Sequence, residues 1–313
     1  IMTEKIGEVT LDTTFYSGND NYSDGDEIEN RILQIVKEEK GYEFSHKEYA
    51  NWAVLYHLSR QRENITEPME LLPDDEVLEI GSGMGAITGA LAKRCKTVDC
   101  IELSKRRSLV NAYRHKDMDN INIIVGNFQD IPITKRYDVV TLIGVFEYAY
   151  YYIDAEEPYI EFLKKIASCL KPGGRIYIAI ENKLGMKYFA GYNEDHTGVA
   201  FSGIEGYRKE DKVRTFTKSQ LMNMLTENRF GNVSFYYPFP DYKLPTVIYD
   251  EDMIKKMMVN YAVQSNYDAD ACVSFNQVKA FENLTGTDET SIFANSFLIE
   301  AVKEQDNNEG KVC

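Results

Sequence analysis

This 313-residue sequence predicts an α/β fold built on a mostly parallel sheet. Three observations carry that prediction. Short apolar runs alternate with helical stretches through the middle of the chain, the pattern of right-handed strand–helix–strand units. The first run ends in a tight glycine turn, Gly81-Ser82-Gly83-Met84-Gly85, ahead of a helical stretch. A Lys171-Pro172-Gly173-Gly174 stop-and-turn signal feeds the fifth run.

Residues 1–25 are polar and rich in Asn, Asp, Gly and Ser, which reads as an extended arm. Asp24 or Asp26 can cap a helix whose stripe is Ile28, Ile32, Ile35 and Val36. A second helix, starting near Ser45, carries Tyr49, Trp52, Ala53 and Tyr56 on one face. Together they make an N-terminal arm and helical cap over residues 1–68. The strands are 76–80, 98–101, 121–125, 138–143 and 175–180, with helices at 84–93, 105–115 and 158–170. An insertion of about 183–213 follows, then a helix at 217–228 and a strand at 232–236. A second insertion, about 238–290, contains a helix around 252–263. A last strand, 293–302, closes the main domain, 69–303, and 304–313 is a polar tail.

Hydrophobic content of 43% and charged content of 27% are ordinary for a soluble globular chain. There is no apolar run of the ~18 residues a membrane span needs, and no signal-peptide pattern, so a cytoplasmic location is expected. The five cysteines form no zinc-ligand series and read as reduced thiols. Net charge is −15, which disfavours a nucleic-acid acceptor, since phosphate binding needs a basic face. The compact basic run Lys105-Arg106-Arg107 reads as a solvated first helical turn.

The chemistry-bearing signals sit at the carboxyl ends of the predicted strands, where ligands bind in open α/β sheets. Val77-Leu78-Glu79-Ile80-Gly81-Ser82-Gly83-Met84-Gly85 runs from strand through glycine turn into helix, where the backbone approaches a ligand closely and offers unpaired N–H groups. The spacing is GxGxG, one residue tighter than the dinucleotide fingerprint. Glu79, just before the turn, is a poor neighbour for a pyrophosphate and a good one for a cationic, amine-bearing ligand. This favours S-adenosylmethionine over NAD and argues against an NAD-dependent oxidoreductase. Glu102, followed by Leu103, ends the second strand and can accept ribose hydroxyls. Asn127, Phe128 and Gln129 end the third strand with groups able to hydrogen-bond and stack an adenine. Gly144-Val145-Phe146-Glu147-Tyr148 follows the fourth strand.

In this order the motifs resemble those of class I S-adenosylmethionine-dependent methyltransferases, over roughly residues 70–182. The resemblance implies a Rossmann-like, seven-stranded, mostly parallel sheet whose last strand is antiparallel. It also implies that Glu79 and Gly81–Gly85, with Ser82, Gly83 and Met84, hold the methionine part of the cofactor. Glu102 and Leu103 would hold the ribose, Asn127, Phe128 and Gln129 the adenine, and Gly144 closes the cofactor wall. The chain lacks the Asn/Asp-Pro-Pro-Tyr segment of many amino-methylating members, and Gly144–Glu147 is similar to small-molecule and glycan-directed ones. The stretch from Glu181-Asn182-Lys183 to Glu194-Asp195-His196 resembles methyltransferase modules of bacterial cell-surface polysaccharide enzymes. That implies fusion to, or association with, other glycan-modifying domains. The expected reaction is therefore O-methylation of a small molecule or glycan. A non-catalytic methyltransferase-like module is the alternative, and the complete set of cofactor residues argues against it.

A hydroxyl acceptor is a weak nucleophile, so a base is expected. His196, whose ordinary pKa lies near neutrality, is the candidate, with Glu147 as a second catalytic group. Tyr148, Glu181, Asn182, Glu194 and Asp195 are the expected acceptor contacts. Glu194, Asp195 and His196 are also metal-ligand types, but one loop rarely supplies a whole coordination sphere, so no metal is expected.

Overall fold

The computed structural model describes residues 3–20, 23–38, 51–256 and 271–305. Seven strands match those expected from the sequence: β3 (Glu76–Ile80), β4 (Thr97–Glu102), β5 (Ile121–Gly126), β6 (Tyr137–Ile143), β7 (Leu170–Glu181), β8 (Phe230–Phe239) and β10 (Ser296–Lys303). They lie side by side in the order β5-β4-β3-β6-β7-β10-β8, within a ten-stranded sheet. β10 runs antiparallel to both β7 and β8, and the pairs from β5 through β7 are parallel. The central strands are buried on both faces, as a sheet covered by helices on each side requires. The apolar clusters on the two faces contain Phe162, Leu163 and Ile166 on one side and Ile87, Leu91 and Ala112 on the other.

Three strands extend the sheet beyond the expected seven. β9 (Val247–Tyr249), from the second insertion, pairs with β8. β1 (Thr3–Ile6) and β2 (Val9–Phe15) form a hairpin in the segment expected to be an arm, and β2 pairs in parallel with β5. The segment contains the alternation that a half-buried strand needs: Val9 and Leu11 are fully buried while Thr10 and Asp12 are not. Polar composition concealed a period of two.

The cap helix α1 (Asp26–Lys37) presents Ile32 and Ile35 to α2 (Trp52–Leu58) and to Val110 of α4 (Lys105–Arg114). The first half of the second expected helix, with Ser45, His46 and Tyr49, lies outside the described residues. So do the end of the helix expected at 252–263, Cys313 and most of the tail. Helix α3 (Thr88–Ala92) begins four residues later than expected, because Gly85 at φ +74° cannot enter a right-handed helix. The helices after β6 and before β8 are α5 (Pro158–Cys169) and α6 (Lys218–Glu227), the latter opened by a Thr217/Gln220 capping box. The basic run at the start of α4 is not a solvated turn. Arg107 is buried, its Nε donating to Glu29 at 2.9 Å and a terminal nitrogen to Asp24 at 2.8 Å, and Arg106 pairs with Asp26. The run clamps the cap onto the sheet.

Candidate active site

A cavity of about 630 Å³ opens at the carboxyl ends of β3, β4 and β6, within the ~300–1,000 Å³ range of small-ligand sites. One wall is the turn after β3. Gly81 sits at φ +71°, and a Cβ there would come within 2.5 Å of Val145 Cγ2. The two turns, Gly81–Met84 and Gly144–Val145, therefore meet because Gly81 leaves room for the Val145 side chain. Glu102, at the end of β4, is buried and spans the turn: its carboxylate accepts from Gly83 N–H and from Ser104 N–H, each at 2.8 Å. Burial pushes its carboxyl above the usual range. Ser82, Gly83, Met84, Leu103, Asn127 and Gly144 line the same cavity.

Four expected cofactor residues stand elsewhere. Phe128 is fully buried, packed on Phe162 with ring centroids 5.4 Å apart, and does not reach the cavity. Gln129 faces solvent and accepts from Asp154 N–H at 2.6 Å. At the end of this strand the side chains facing the cavity are Asn127 and Asp130. Glu79 looks into a small recess under the glycine turn, shared with Arg62, Gly81 and Ser82. Its carboxyl accepts from Thr88 Oγ1 at 2.6 Å, and burial pushes its pKa up to about 7. Gly85 packs against α4, where a Cβ would lie 2.3 Å from Asn111 Oδ1, so its part is to seat the helix.

The recess completes the test of fit for an amino-acid-bearing nucleoside. Arg62 Nε and Ser82 Oγ are buried there without hydrogen-bond partners, a cationic donor and a hydroxyl that suit an amino-acid head group. Glu102, in the main cavity, offers a carboxylate of the kind that accepts from sugar hydroxyls. Arg62 carries no sequence signal, because it lies in a short 3₁₀ segment, Arg60–Thr66, where nothing but tertiary packing aims it. Its ring partner Tyr56 is 4.3 Å from the guanidinium carbon, and its Nη1 donates to Lys243 O at 3.0 Å. Phe15 and Tyr56 were equally silent in the sequence, yet they face the cavity together with Tyr148, Tyr151 and Tyr152.

Behind Tyr148 lies a buried charged cluster that joins four segments: the turn after β6, the end of β7, and the first and second insertions. Tyr148 Oη is 3.1 Å from His196 Nδ1, and His196 Nε2 is 3.4 Å from Glu181 Oε2. Lys243, from the second insertion, bonds Glu181 Oε1 and lies 2.9 Å from Asp195 Oδ1. Lys187 is 2.7 Å from the other Asp195 oxygen. Burial alone would depress the His196 pKa, but the Glu181 carboxylate beside it raises it to about 9. A histidine held as imidazolium is the opposite of a base at neutral pH, so the expected base is not what this geometry provides. Burial, reinforced by the charge of Glu181, pushes Glu147 up to about 8, while Lys243 and His196 hold Glu181 below the carboxylate range against the opposing effect of its own burial.

Of the expected acceptor contacts, only Tyr148 lines the cavity. Asn182 donates to the carbonyls of Ile292 and Ala294 and accepts from Leu184 N–H. Glu194 accepts from the backbone N–H groups of His196 and Thr197 and from Tyr207 Oη, closing its own loop. Asp195 is taken up by the two lysines. These groups shape the insertion and leave nothing for a ligand.

The raised pKa values set a pH dependence. Between the unfolded and folded values of Glu147 (4.5 to about 8) and of His196 (6.5 to about 9), the native state binds more protons than the unfolded one. Both contributions are present below the unfolded value and lost as pH rises through the folded one. In chelator-containing buffer the urea midpoint is therefore expected to fall from pH 6.5 to 9, and His196→Gln to flatten the slope. A midpoint that rises over this interval would show that these groups are not held protonated.

A family model described as a methyltransferase domain matches residues 78–178. Among curated proteins, the chain is 28% identical over 115 residues to ribosomal RNA small subunit methyltransferase A of Malacoplasma penetrans, covering 36% of this chain and 41% of that protein. It is 24% identical over 198 residues to the protein of the same name from Fusobacterium nucleatum, covering 62% and 71%. The first match thus spans about two fifths of its relative's length. Among solved structures, phosphoethanolamine N-methyltransferase 1 of Haemonchus contortus, held with S-adenosylhomocysteine, superposes with a TM-score of 0.51 at 13% identity, over 92% of this chain and 50% of that one.

Proposed function

We propose that this chain takes an electrophilic methyl group from the sulfonium of S-adenosylmethionine, as its match to a methyltransferase domain over residues 78–178 supports, and delivers it to an oxygen of a small molecule or glycan. The aromatic wall carries this reading. Phe15, Tyr56, Tyr148, Tyr151 and Tyr152 face the glycine turn and Glu102 across one cavity, and flat rings match the apolar faces of sugars and arenes.

Glu102 takes the ribose hydroxyls, Arg62 the cofactor's carboxylate, and Ser82 a further polar atom of the amino-acid part. Tyr148 Oη positions the acceptor oxygen, and alignment supplies most of the rate. His196 and Glu147 are positioning residues: His196 sets Tyr148 by their 3.1 Å contact, and Glu147 lies buried behind it.

The ribosomal RNA methyltransferases among the relatives favour a second reading, an RNA acceptor. A net charge of −15 opposes it. Tritiated S-adenosylmethionine offered with oligosaccharides, hydroxylated arenes or undermethylated small ribosomal subunits separates the two. Label in alkali-stable methyl ethers supports O-methylation, with Tyr148→Phe lowering kcat about tenfold, the worth of one hydrogen bond, at unchanged cofactor affinity. Label confined to RNA base nitrogen overturns it.

A further inference from the structure

We propose that Glu147, Glu181 and His196 form a binding site for one divalent first-row transition-metal ion at the sheet edge behind Tyr148. Each residue comes from a different segment, and each offers one ligand atom, all within 4.8 Å of one another. Ligand bonds of about 2.0–2.2 Å draw such atoms together by small side-chain shifts. Glu147 and Glu181 are fully buried. Both Glu147 oxygens lack a hydrogen-bond partner, and Glu181 Oε2 and His196 Nε2 meet only each other, at 3.4 Å and outside hydrogen-bond geometry. Four buried polar atoms that converge with so little satisfaction are costly unless something charged joins them.

The surroundings already orient these atoms for an ion. A ligating histidine uses its second nitrogen to hold a neighbour, and His196 Nδ1 meets Tyr148 Oη at 3.1 Å. Glu181 Oε1 is held by Lys243 and by Tyr242 Oη, which leaves Oε2 to the site. The cluster contains the carboxylates of Glu147, Glu181, Glu194 and Asp195 against the ammonium groups of Lys187 and Lys243. With neutral His196 the two excess negative charges equal one divalent ion. Two carboxylates and an imidazole suit Mn²⁺, Fe²⁺ or Zn²⁺ better than Mg²⁺ or Ca²⁺. An ion here pins the first insertion to the ends of β6 and β7, and through His196 it fixes Tyr148 on the cavity wall.

The test uses the full chain, treated with a chelator, folded by circular dichroism, and without methyl donor. Mn²⁺ is titrated by electron paramagnetic resonance, and Zn²⁺ against a chromophoric chelator. One ion per chain is expected, with Glu147→Gln and His196→Ala each weakening it at least tenfold. Zinc X-ray absorption on the unmutated chain is expected to show one imidazole ligand, a readout independent of whether the variants fold. No binding at 1 mM ion, no imidazole shell, or affinity unchanged in both variants overturns the site and leaves a cluster neutralised by protons on Glu147 and His196. Because no methyl transfer is measured, this outcome and the failure of O-methylation are distinguishable.

Discussion

Glu102→Ala is expected to raise the dissociation constant for S-adenosylhomocysteine by about ten- to a hundredfold, or about 1.4–2.7 kcal/mol. Two losses combine. In the proposed reading the carboxylate accepts from the ribose hydroxyls, and charge-assisted hydrogen bonds are stronger than neutral ones. It also anchors Gly83 N–H and Ser104 N–H at 2.8 Å each, so its removal loosens the glycine turn at φ +53° on Gly83. Glu102→Gln keeps one acceptor oxygen and is expected to fall between the two. Titration calorimetry decides: an unchanged constant in folded Glu102→Ala protein would remove the ribose assignment.

Lys243→Met is expected to destabilise the chain by about 3–5 kcal/mol, the cost of stranding buried charges. The Lys243 side chain is 13% exposed and bridges Glu181 and Asp195. Its own carbonyl accepts from Arg62 of the cap. Without the ammonium, Glu181 is left with the His196 ion pair and Asp195 with the Lys187 ion pair among the described residues. Urea unfolding at pH 7 measures the change, and a loss below about 1 kcal/mol would mean that the cluster redistributes its protons instead of depending on Lys243.

The glycine-turn wall of the cavity was legible because it is local. Gly81, Ser82, Gly83, Met84, Glu102, Leu103, Asn127 and Gly144 all lie at strand ends, and a strand end is readable from a short apolar run and the turn after it. The same logic overreached by one residue at Phe128 and Gln129, since alternation along a strand and its exit decides which neighbour faces the cavity and which the core. His196, Glu147 and Glu181 were each singled out, but their meeting, and hence the protonated state of His196, required three segments to converge. Lys187, Lys243 and Arg62 drew no notice, because a lysine or arginine in a polar stretch reads as solvated until its burial is known.

The sequence by itself determined the order of strands and helices, the glycine turn and the acid that crosses it, because these depend on residues near in the chain. The tertiary structure alone decided the N-terminal hairpin on β5, the aromatic wall and the charged cluster. In each, residues tens to more than a hundred positions apart share one low-dielectric space, and their pKa values and partners follow from that proximity.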